Sequence, residues 1–220
     1  MSGVTAFSYS RLNSYEECPK KYHAISVARS IKDIPNEHTQ WGTDVHLAFK
    51  EYFKSGKPLP LQMKQYEKFL AQIKAFPGEF ICEQKLAINT NYEPTGWLDK
   101  DVYCRIISDL TILNGRQGIM WDWKTGKPKD DFTQLRLAGA VMFLLVPELQ
   151  RINLCYLWTK TKEITRQSMT REEMPGVWSG LLPRIERYHN AHVNSEFPAK
   201  PGWNCKYCPV KTCAHWEGKS

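Results

Sequence analysis

The sequence lacks the features that mark membrane-spanning, secreted and ATP-driven motor proteins. No run of eighteen apolar residues occurs in its 220 residues, so no segment could cross a bilayer as a helix. The first residues, MSGVTAFSYSRLNSYEE, do not combine a basic region with an apolar core, as a secretory signal does. A Gly-x-x-x-x-Gly-Lys-[Ser/Thr] phosphate loop is also missing, which argues against an ATP-driven helicase on this chain. These absences predict a cytoplasmic protein without a membrane partner.

Length and composition indicate one globular domain over residues 1–220. The chain is 42% hydrophobic and 24% charged, and 220 residues are enough to bury a substantial core. It contains neither an internal repeat nor a low-complexity segment. The net charge of +7 and the pI of about 9.0 favour a polyanionic partner such as a nucleic acid.

The stretch from Val102 to Lys124 is typical of a β-hairpin. Asn114-Gly115 is a strong hairpin-turn signal, and Gly118 to Lys124 would return as the second strand. Strict alternation in the first strand predicts one shared face for Val102, Cys104, Ile106, Ser108, Leu110 and Ile112.

The length of the hairpin loop decides whether two aspartates meet. A two-residue turn at Asn114-Gly115 would place Asp109 opposite Met120, with Asp122 as its diagonal neighbour. A four-residue loop through Gln117 would place the two aspartates directly opposite each other, and a three-residue loop would separate them. Lys124 shares the face of Asp122, because side chains alternate along a strand.

Two carboxylates and one ammonium group on an apolar hairpin have two interpretations. One is an exposed hairpin face with an Asp–Lys ion pair. The other is a divalent-metal site, because Mg²⁺ takes oxygen ligands from one or two carboxylates and keeps several waters. Buried charges need such a partner, since they are costly when unpaired.

Several further segments could contribute to such a site. The strand pattern from Glu79 to Asn89 contains Glu83, which is either part of a solvent-exposed Glu–Lys face or an additional acid of the site. The helix pattern after Trp41 has Thr43 as its expected N-cap, with His46 in the first turn. Trp97 could stack on a substrate, although a core position is the more ordinary role of such a residue.

The hairpin resembles the core of the PD-(D/E)XK nuclease superfamily, through Asp109 and the sequence Asp122-Trp123-Lys124-Thr125-Gly126. The resemblance is to its RecB-like branch, which includes the AddB nuclease domain and the CRISPR-associated and phage RecB-like exonucleases. Other segments resemble that branch in the same order along the chain: Ser8-x-Ser10-x-Leu12 followed by Cys18-Pro19, Gly42-Thr43-x-x-His46, and Gln134.

The resemblance implies a restriction-endonuclease-like α/β fold, with a central mixed sheet flanked by helices. The implied function is that of a metal-dependent deoxyribonuclease, with an exonuclease favoured over an endonuclease, using Mg²⁺ or Mn²⁺. The metal ligands would be His46, Asp109, Asp122 and the carbonyl of Trp123. Lys124 would orient the attacking water, and Gln134 and Glu83 would be further candidates.

The same resemblance implies the partners and the setting. The substrate would be single-stranded DNA or DNA with free ends, and a recombination or helicase protein would be a further partner. The setting would be the cytoplasm of a bacterial or phage-infected cell, in recombination, repair or DNA processing.

Two positions depart from the family pattern. Ala138 stands where the family has a tyrosine four residues after the motif glutamine, and Ile106 stands where a glycine often precedes the first aspartate. The alternative to an active nuclease is therefore a catalytically inactive, nuclease-like module for DNA binding or assembly.

The cysteines predict a second metal centre. Cys205, Cys208 and Cys213 have metal-ligand spacing in the tail, residues 203–215, and need a fourth ligand. His215 would complete a zinc site, whereas Cys18 would complete a Cys₄ site for zinc or an iron–sulfur cluster. The resemblance implies Cys18 and a 4Fe–4S cluster, which would form an appendage from both termini and fasten the chain ends together.

Overall fold

The computed structural model describes residues 5–32 and 37–218, and it has helices on both faces of one sheet. The α-helices are α1 (Tyr9–Glu17), α2 (Pro19–Tyr22), α3 (Glu37–Ser55), α4 (Glu67–Lys74), α5 (Thr133–Leu145) and α6 (Met174–Asn194). The strands are β1 (Glu79–Asn89), β2 (Val102–Asn114), β3 (Gln117–Lys124), β4 (Arg151–Trp158) and β5 (Glu163–Thr170). Within the described ranges, no helix combines the length and the apolar character that crossing a membrane requires.

The sheet is mixed, as the sequence predicted. Its strand order is β1-β2-β3-β4-β5, and only the β3–β4 pair is parallel. This parallel pair needs a crossover connection, which α5 provides. The expected α/β architecture, with a central mixed sheet between helices, is confirmed.

Two hydrophobic cores lie on the opposite faces of the sheet. Helices α5 and α6 and the N-terminal segment pack on one face, through residues such as Phe143, Tyr188 and Phe7. Helices α3 and α4 pack on the other face, against Trp121 and Trp123 of β3. The alternation of β3 therefore directs its tryptophans toward α3 and its even-numbered residues toward α5.

The hairpin turn lies one residue later than a two-residue Asn114-Gly115 turn would place it. Asn114 pairs with Gln117, so Gly115 and Arg116 form the turn, and Gly115 takes the left-handed φ of +56°. The pairing continues to Leu110 opposite Trp121. This is the register of the four-residue-loop alternative, and its extension brings Asp109 and Asp122 face to face.

The alternation of β1 and β2 changes phase in mid-strand, so the prediction of one shared face for alternate residues of β2, from Val102 to Ile112, is wrong. Cys104 and Ile106 belong to the core beneath α5, whereas Leu110 and Ile112 belong to the core beneath α3. The cause lies at Glu83, whose φ of +51° is in the left-handed region that L-residues seldom adopt. Glu83 lies between the Cys82–Leu110 and Gln84–Ser108 pairs, across from Asp109.

Helix α3 begins earlier than its sequence pattern indicated. Its first residue is Glu37, and Thr43 lies inside the helix, where its hydroxyl donates to the carbonyl of Thr39 over 3.1 Å. Thr43 is therefore not the N-cap, and His46 lies in the third turn. The longer helix holds His46 above the middle of the sheet, packed through Val45 and Phe49.

The C-terminal segment lies against the first two helices. Lys20 N donates to the carbonyl of Pro198, and Lys200 Nζ donates to the carbonyl of Glu16 over 2.7 Å. Asn204 Nδ2 donates to a carboxylate oxygen of Glu17 over 2.6 Å. The two end regions are therefore neighbours, which the predicted appendage requires.

Candidate active site

Asp109 is the centre of a buried polar cluster, at the point where the side-chain alternation of β1 and β2 changes phase. Its side chain is only 9% exposed. One carboxylate oxygen accepts the backbone N–H of Trp123 over 2.8 Å, and the other lies 3.1 Å from His46 Nδ1. The N–H of Trp123 thus binds the Asp109 side chain and positions its carboxylate.

His46 lies between two acceptors. Its Nδ1 faces Asp109, and its Nε2 lies 3.0 Å from the carbonyl oxygen of Trp123. Both ring nitrogens can donate only when the imidazole is protonated. Burial alone would lower the pKa of His46, but the hydrogen bond and charge of Asp109 outweigh it and raise the pKa above its usual value. A metal ion would replace the proton at one of these nitrogens, because only the neutral imidazole has a lone pair to offer as a ligand.

Asp122, Lys124 and Gln134 form a second cluster beside the first. Gln134, in the first turn of α5, donates through Nε2 to Asp122 Oδ1 over 3.0 Å and accepts from Lys124 Nζ over 3.0 Å. Lys124 Nζ also lies 2.7 Å from Asp122 Oδ2 as an ion pair. The glutamine therefore fixes both charged groups relative to α5.

Asp122 has an environment that disfavours its negative charge. Burial, followed by the neighbouring Asp109 carboxylate, raises the pKa of Asp122 to about 6, although Lys124 acts in the opposite direction. Its Oδ2 atom is buried and receives no hydrogen bond of good geometry from a described residue, despite the ion pair with Lys124. This atom keeps an available lone pair, which fits a divalent cation as the missing partner.

Glu83 joins the first cluster. His46, Glu83 and Asp109 each offer one ligand atom, and these three atoms lie within 4.8 Å of one another. Burial and the charge of Asp109 raise the pKa of Glu83, whereas His46 and Lys50 oppose the rise. Glu83 therefore does not belong to an exposed Glu–Lys face, because the left-handed φ of Glu83 turns its side chain toward Asp109.

The residues present fit a hard divalent cation. Carboxylates of Asp109, Glu83 and Asp122 and the carbonyl of Trp123 supply oxygen, and His46 supplies one nitrogen. Asp122 stands apart from the group of three, because Lys124 and Gln134 hold it on the α5 side. The structure therefore brings His46, Asp109 and Trp123 into contact and places Asp122 next to them.

Two cavities open on opposite sides of these residues. The first has a volume of about 330 Å³ and is lined in part by Asp122, Gln134 and Ala138. The second is larger and more open, with a volume of about 750 Å³, and is lined in part by His46, Glu83 and Lys50. The carboxylates thus form the wall between two spaces.

Sequence reasoning missed two arginines around the site and preferred a core role for Trp97. Trp97 belongs to neither core and lines the smaller cavity, so the core interpretation of this residue does not hold. Arg11 and Arg105 line the same cavity. An arginine at position 105, in the otherwise mostly apolar stretch of residues 102–107, was the available signal, and its meaning depended on the change of face in mid-strand of β2.

Three of the four cysteines of the predicted second metal centre line one cavity, and the fourth does not. Cys18, Cys205 and Cys208 line one cavity of about 200 Å³, which Cys213 does not line, and His215 is exposed. Among residues 5–32 and 37–218, no three cysteine sulfurs lie within 4.8 Å of one another. Tetrahedral zinc would hold its thiolates about 3.8 Å apart, as its bond length of about 2.3 Å dictates.

Comparisons with known proteins agree with the α/β fold described above. A family model described as the PD-(D/E)XK nuclease superfamily matches residues 6–102, which include His46 and Glu83 and end before Asp109. No curated protein matches the chain at a significant level.

Two solved structures resemble this chain to different degrees. The crystal structure of SSO0001 is 14% identical, has a TM-score of 0.45 and covers 94% of each chain. A protein from Eubacterium rectale, provisionally designated an exonuclease, is 16% identical with a TM-score of 0.52, over 94% of this chain and 88% of that chain. At this identity the second likeness shows a shared fold. Together with the matched segment and the mixed sheet, it agrees with a restriction-endonuclease-like architecture.

Proposed function

We propose that this protein is a metal-dependent nuclease that hydrolyses phosphodiester bonds in DNA. The observation that carries the proposal is the convergence of Asp109, Glu83 and Asp122 beside the ammonium group of Lys124. The match of residues 6–102 to a nuclease superfamily supports it, as does the net charge of +7, which favours a polyanionic substrate.

Mg²⁺ or Mn²⁺ would be held by Asp109, Asp122, the Trp123 carbonyl and His46, with Glu83 as a further ligand. A metal ion bound there supplies Lewis acidity toward the phosphoryl oxygen and lowers the pKa of a water nucleophile. The buried Asp122 Oδ2 atom, which Lys124 contacts without a hydrogen bond of good geometry, and the mutual proximity of His46, Glu83 and Asp109 support this ligand set.

The remaining side chains position charge for the reaction. Lys124 Nζ contacts Gln134 and Asp122, which line the smaller cavity, and from there it would orient water and offset charge on the phosphate. Gln134 holds Lys124 and Asp122 in one geometry without carrying a charge of its own. These groups are anchored on β3 and α5, and such rigid elements limit their movement.

We further propose that single-stranded DNA or DNA with a free end is the substrate, and that the reaction is exonucleolytic. The smaller, more enclosed cavity beside Asp122 supports an end-dependent reaction, because it offers limited room on one side of the carboxylates. A recombination or helicase partner would supply such ends, in keeping with the absence of a phosphate-binding loop.

A 4Fe–4S cluster bound by Cys18, Cys205, Cys208 and Cys213 is the second metal centre that we propose. The cavity shared by Cys18, Cys205 and Cys208 supports the participation of Cys18, and the exposed position of His215 gives it no comparable place. A cubane cluster takes one thiolate on each of its four irons, which matches this set of four cysteines.

Cleavage of defined DNA substrates tests the proposed function. Purified protein is incubated with linear and circular single-stranded DNA of matched length, with Mn²⁺ or with a chelator. The expected result is Mn²⁺-dependent loss of the linear substrate and survival of the circle. Cleavage of both forms would replace the exonuclease with an endonuclease. Binding without cleavage in any metal would favour the inactive DNA-binding module, for which the departure at Ala138 was the sequence argument.

A further inference from the structure

The smaller cavity has the size and position of a subsite for one nucleotide. Its volume of about 330 Å³ is within the range of small-molecule pockets in proteins. Asp122 and Gln134 form its boundary with the proposed metal site, and buried Ala138 lies in its wall. A ligand in this cavity would therefore lie directly beside the carboxylates.

The charged groups of this cavity favour an anion. Arg11, Arg105 and Asp122 are the charged residues that line it within the described part of the chain, and Asp122 is already paired with Lys124. Arg11 donates through Nη1 to the carbonyl of Ala6 over 3.1 Å, which fixes its guanidinium at the cavity wall. The lining thus carries two cations without a carboxylate of their own.

Trp97 adds an aromatic surface that Arg105 holds in place. Arg105 Nε donates to the carbonyl of Trp97 over 2.9 Å, and its guanidinium carbon lies 5.7 Å from the centroid of the indole ring. Lys85 Nζ lies 5.5 Å from the same ring. Within residues 5–32 and 37–218, the other N–H groups of Arg105 make no hydrogen bond, so they can bind a ligand. Aromatic and guanidinium planes are the surfaces on which unpaired bases stack.

We propose that this cavity holds the unpaired terminal nucleotide of a single DNA strand, with its base stacked on Trp97 and its phosphate group bound by Arg11 and Arg105. The inference rests on the proposed nuclease function, because it names the part of the substrate that lies beside the metal site. The more open cavity, which contains Lys50, receives the rest of the strand. Stacking is sequence-tolerant, so the site accepts any base.

Fluorescence of a base analogue tests this placement without cleavage. Single-stranded oligonucleotides carry 2-aminopurine at the 5′ end, at the 3′ end or at a central position, and binding is measured in chelator. The expected result is a fluorescence change on binding for the label at one end, with a much smaller change for the central label. Equal changes at terminal and central positions would overturn the proposal.

Trp97→Ala is the informative variant, and Leu98→Ala is its matched control. Leu98 is the next residue, is 86% exposed and does not line the cavity. Trp97→Ala should abolish the end-specific change and weaken binding about 10-fold, the scale of losing one stacked base. Leu98→Ala should leave both unchanged. An end-specific signal that survives Trp97→Ala in a protein with unaltered circular dichroism would reject the proposed stacking.

Charge is tested separately with Arg105→Ala and Arg116→Ala. Arg116 lies in the exposed hairpin turn and provides the same loss of charge away from the cavity. Arg105→Ala should reduce the end-specific change several-fold more than Arg116→Ala does, and equal reductions would count against the cavity. An end-specific signal with no Mn²⁺-dependent cleavage would support the nucleotide site and reject the nuclease function. Mn²⁺-dependent cleavage without an end-specific signal would support the nuclease function and reject the nucleotide site.

Discussion

The backbone conformation of Glu83 positions its side chain within the candidate active site. Its φ of +51° interrupts β1 where an unstrained strand would continue, and it faces Asp109 across the sheet. Left-handed φ at a non-glycine residue costs on the order of 1 kcal/mol or more, so the surrounding structure must compensate for it. The strain turns the carboxylate toward His46 and Asp109, where a metal ligand would be needed.

Replacing Glu83 with glycine should separate strain from metal binding. Glycine adopts positive φ without a steric penalty and leaves no carboxylate, so the metal-free protein should gain about 1 kcal/mol in unfolding free energy while Mn²⁺ affinity falls. Chemical denaturation and metal titration measure the two effects. Glu79→Gly is the control in the same strand, since Glu79 has no left-handed φ, and it should lose about 0.5–1 kcal/mol. Destabilisation by Glu83→Gly would contradict the role of strain.

Lys124 should affect turnover more than metal binding. Its ammonium group contacts Asp122 and Gln134 and is not a metal ligand, so Lys124→Ala should retain Mn²⁺ binding. Hydrolysis should fall by about 10²- to 10³-fold, as for the loss of one preorganised electrostatic group. Lys127→Ala, an exposed lysine three residues later, is the control for loss of charge. A Lys124→Ala protein with full activity would remove this residue from the mechanism.

At the scale of elements, helix α6 carries two histidines that burial keeps neutral. Burial lowers the pKa of His189, which lies 3.0 Å from the carbonyl of Thr5, and burial also lowers the pKa of His192. A pKa below the unfolded value means that the unfolded chain takes up protons first as pH falls. These histidines therefore contribute stability that is present above about pH 6.5 and is lost as pH falls below it.

The pH dependence of unfolding tests this property of α6. Between pH 7.5 and pH 5.5, the urea midpoint of His189→Gln should rise relative to that of the wild type, because glutamine does not titrate. The comparison between variants is needed because the raised pKa values of His46 and Asp122 change stability in the opposite direction. His215→Gln, at an exposed histidine of the tail, should follow the wild type. Parallel pH profiles for His189→Gln and wild type would show that the protonation of His189 does not affect stability.

The elements could be predicted where local pattern alone defines them. Strands β1, β2 and β3 occur where the sequence predicts strands, because runs of apolar residues and the Asn-Gly turn signal locate them. The turn at Gly115-Arg116 lies one residue beyond the Asn114-Gly115 signal, in the register of one of the alternatives that the sequence left open, because cross-strand packing sets the register along with turn preference. The early start of α3 was not predicted, because the apolar stripe that indicated the helix begins only at Val45.

The site could be predicted only in part, for a related reason. Asp109, Asp122 and Lys124 share a hairpin, so their proximity follows from strand geometry once the register is known. His46 was placed by a resemblance, since no local rule brings a helix residue to a distant strand. The position of Glu83 depends on a left-handed backbone conformation, which the sequence does not indicate. Trp97 lies in a loop, and its cavity exists only in the folded molecule.

At the scale of the whole molecule, the two ends of the chain depend on each other. The tail contacts α1 and α2 through Pro198, Lys200 and Asn204, and these are surface contacts between polar groups. Such contacts contribute little stability on their own. A cluster bound by cysteines from both ends would supply the missing stability, because metal-binding free energy becomes folding free energy.

Anaerobic purification tests the cluster. The protein should contain about four iron and four sulfide per chain and absorb visible light, as a cubane cluster does. Cys18→Ala should lose the cluster and lower the melting temperature, whereas Cys155→Ala, at a buried cysteine of β4, should keep it. Colourless protein with one zinc per chain, or Cys18→Ala with full metal content, would contradict the assignment.

Metal binding and hydrolysis measured together on aspartate variants test the central claim most directly. Mn²⁺ binding is followed by electron paramagnetic resonance, and nucleotide release from linear single-stranded DNA is followed on the same samples. Asp109→Ala and Asp122→Ala should lose both, whereas Asp44→Ala, at an exposed aspartate on α3, should keep both. Hydrolysis that survives Asp122→Ala would place the chemistry elsewhere and contradict the account.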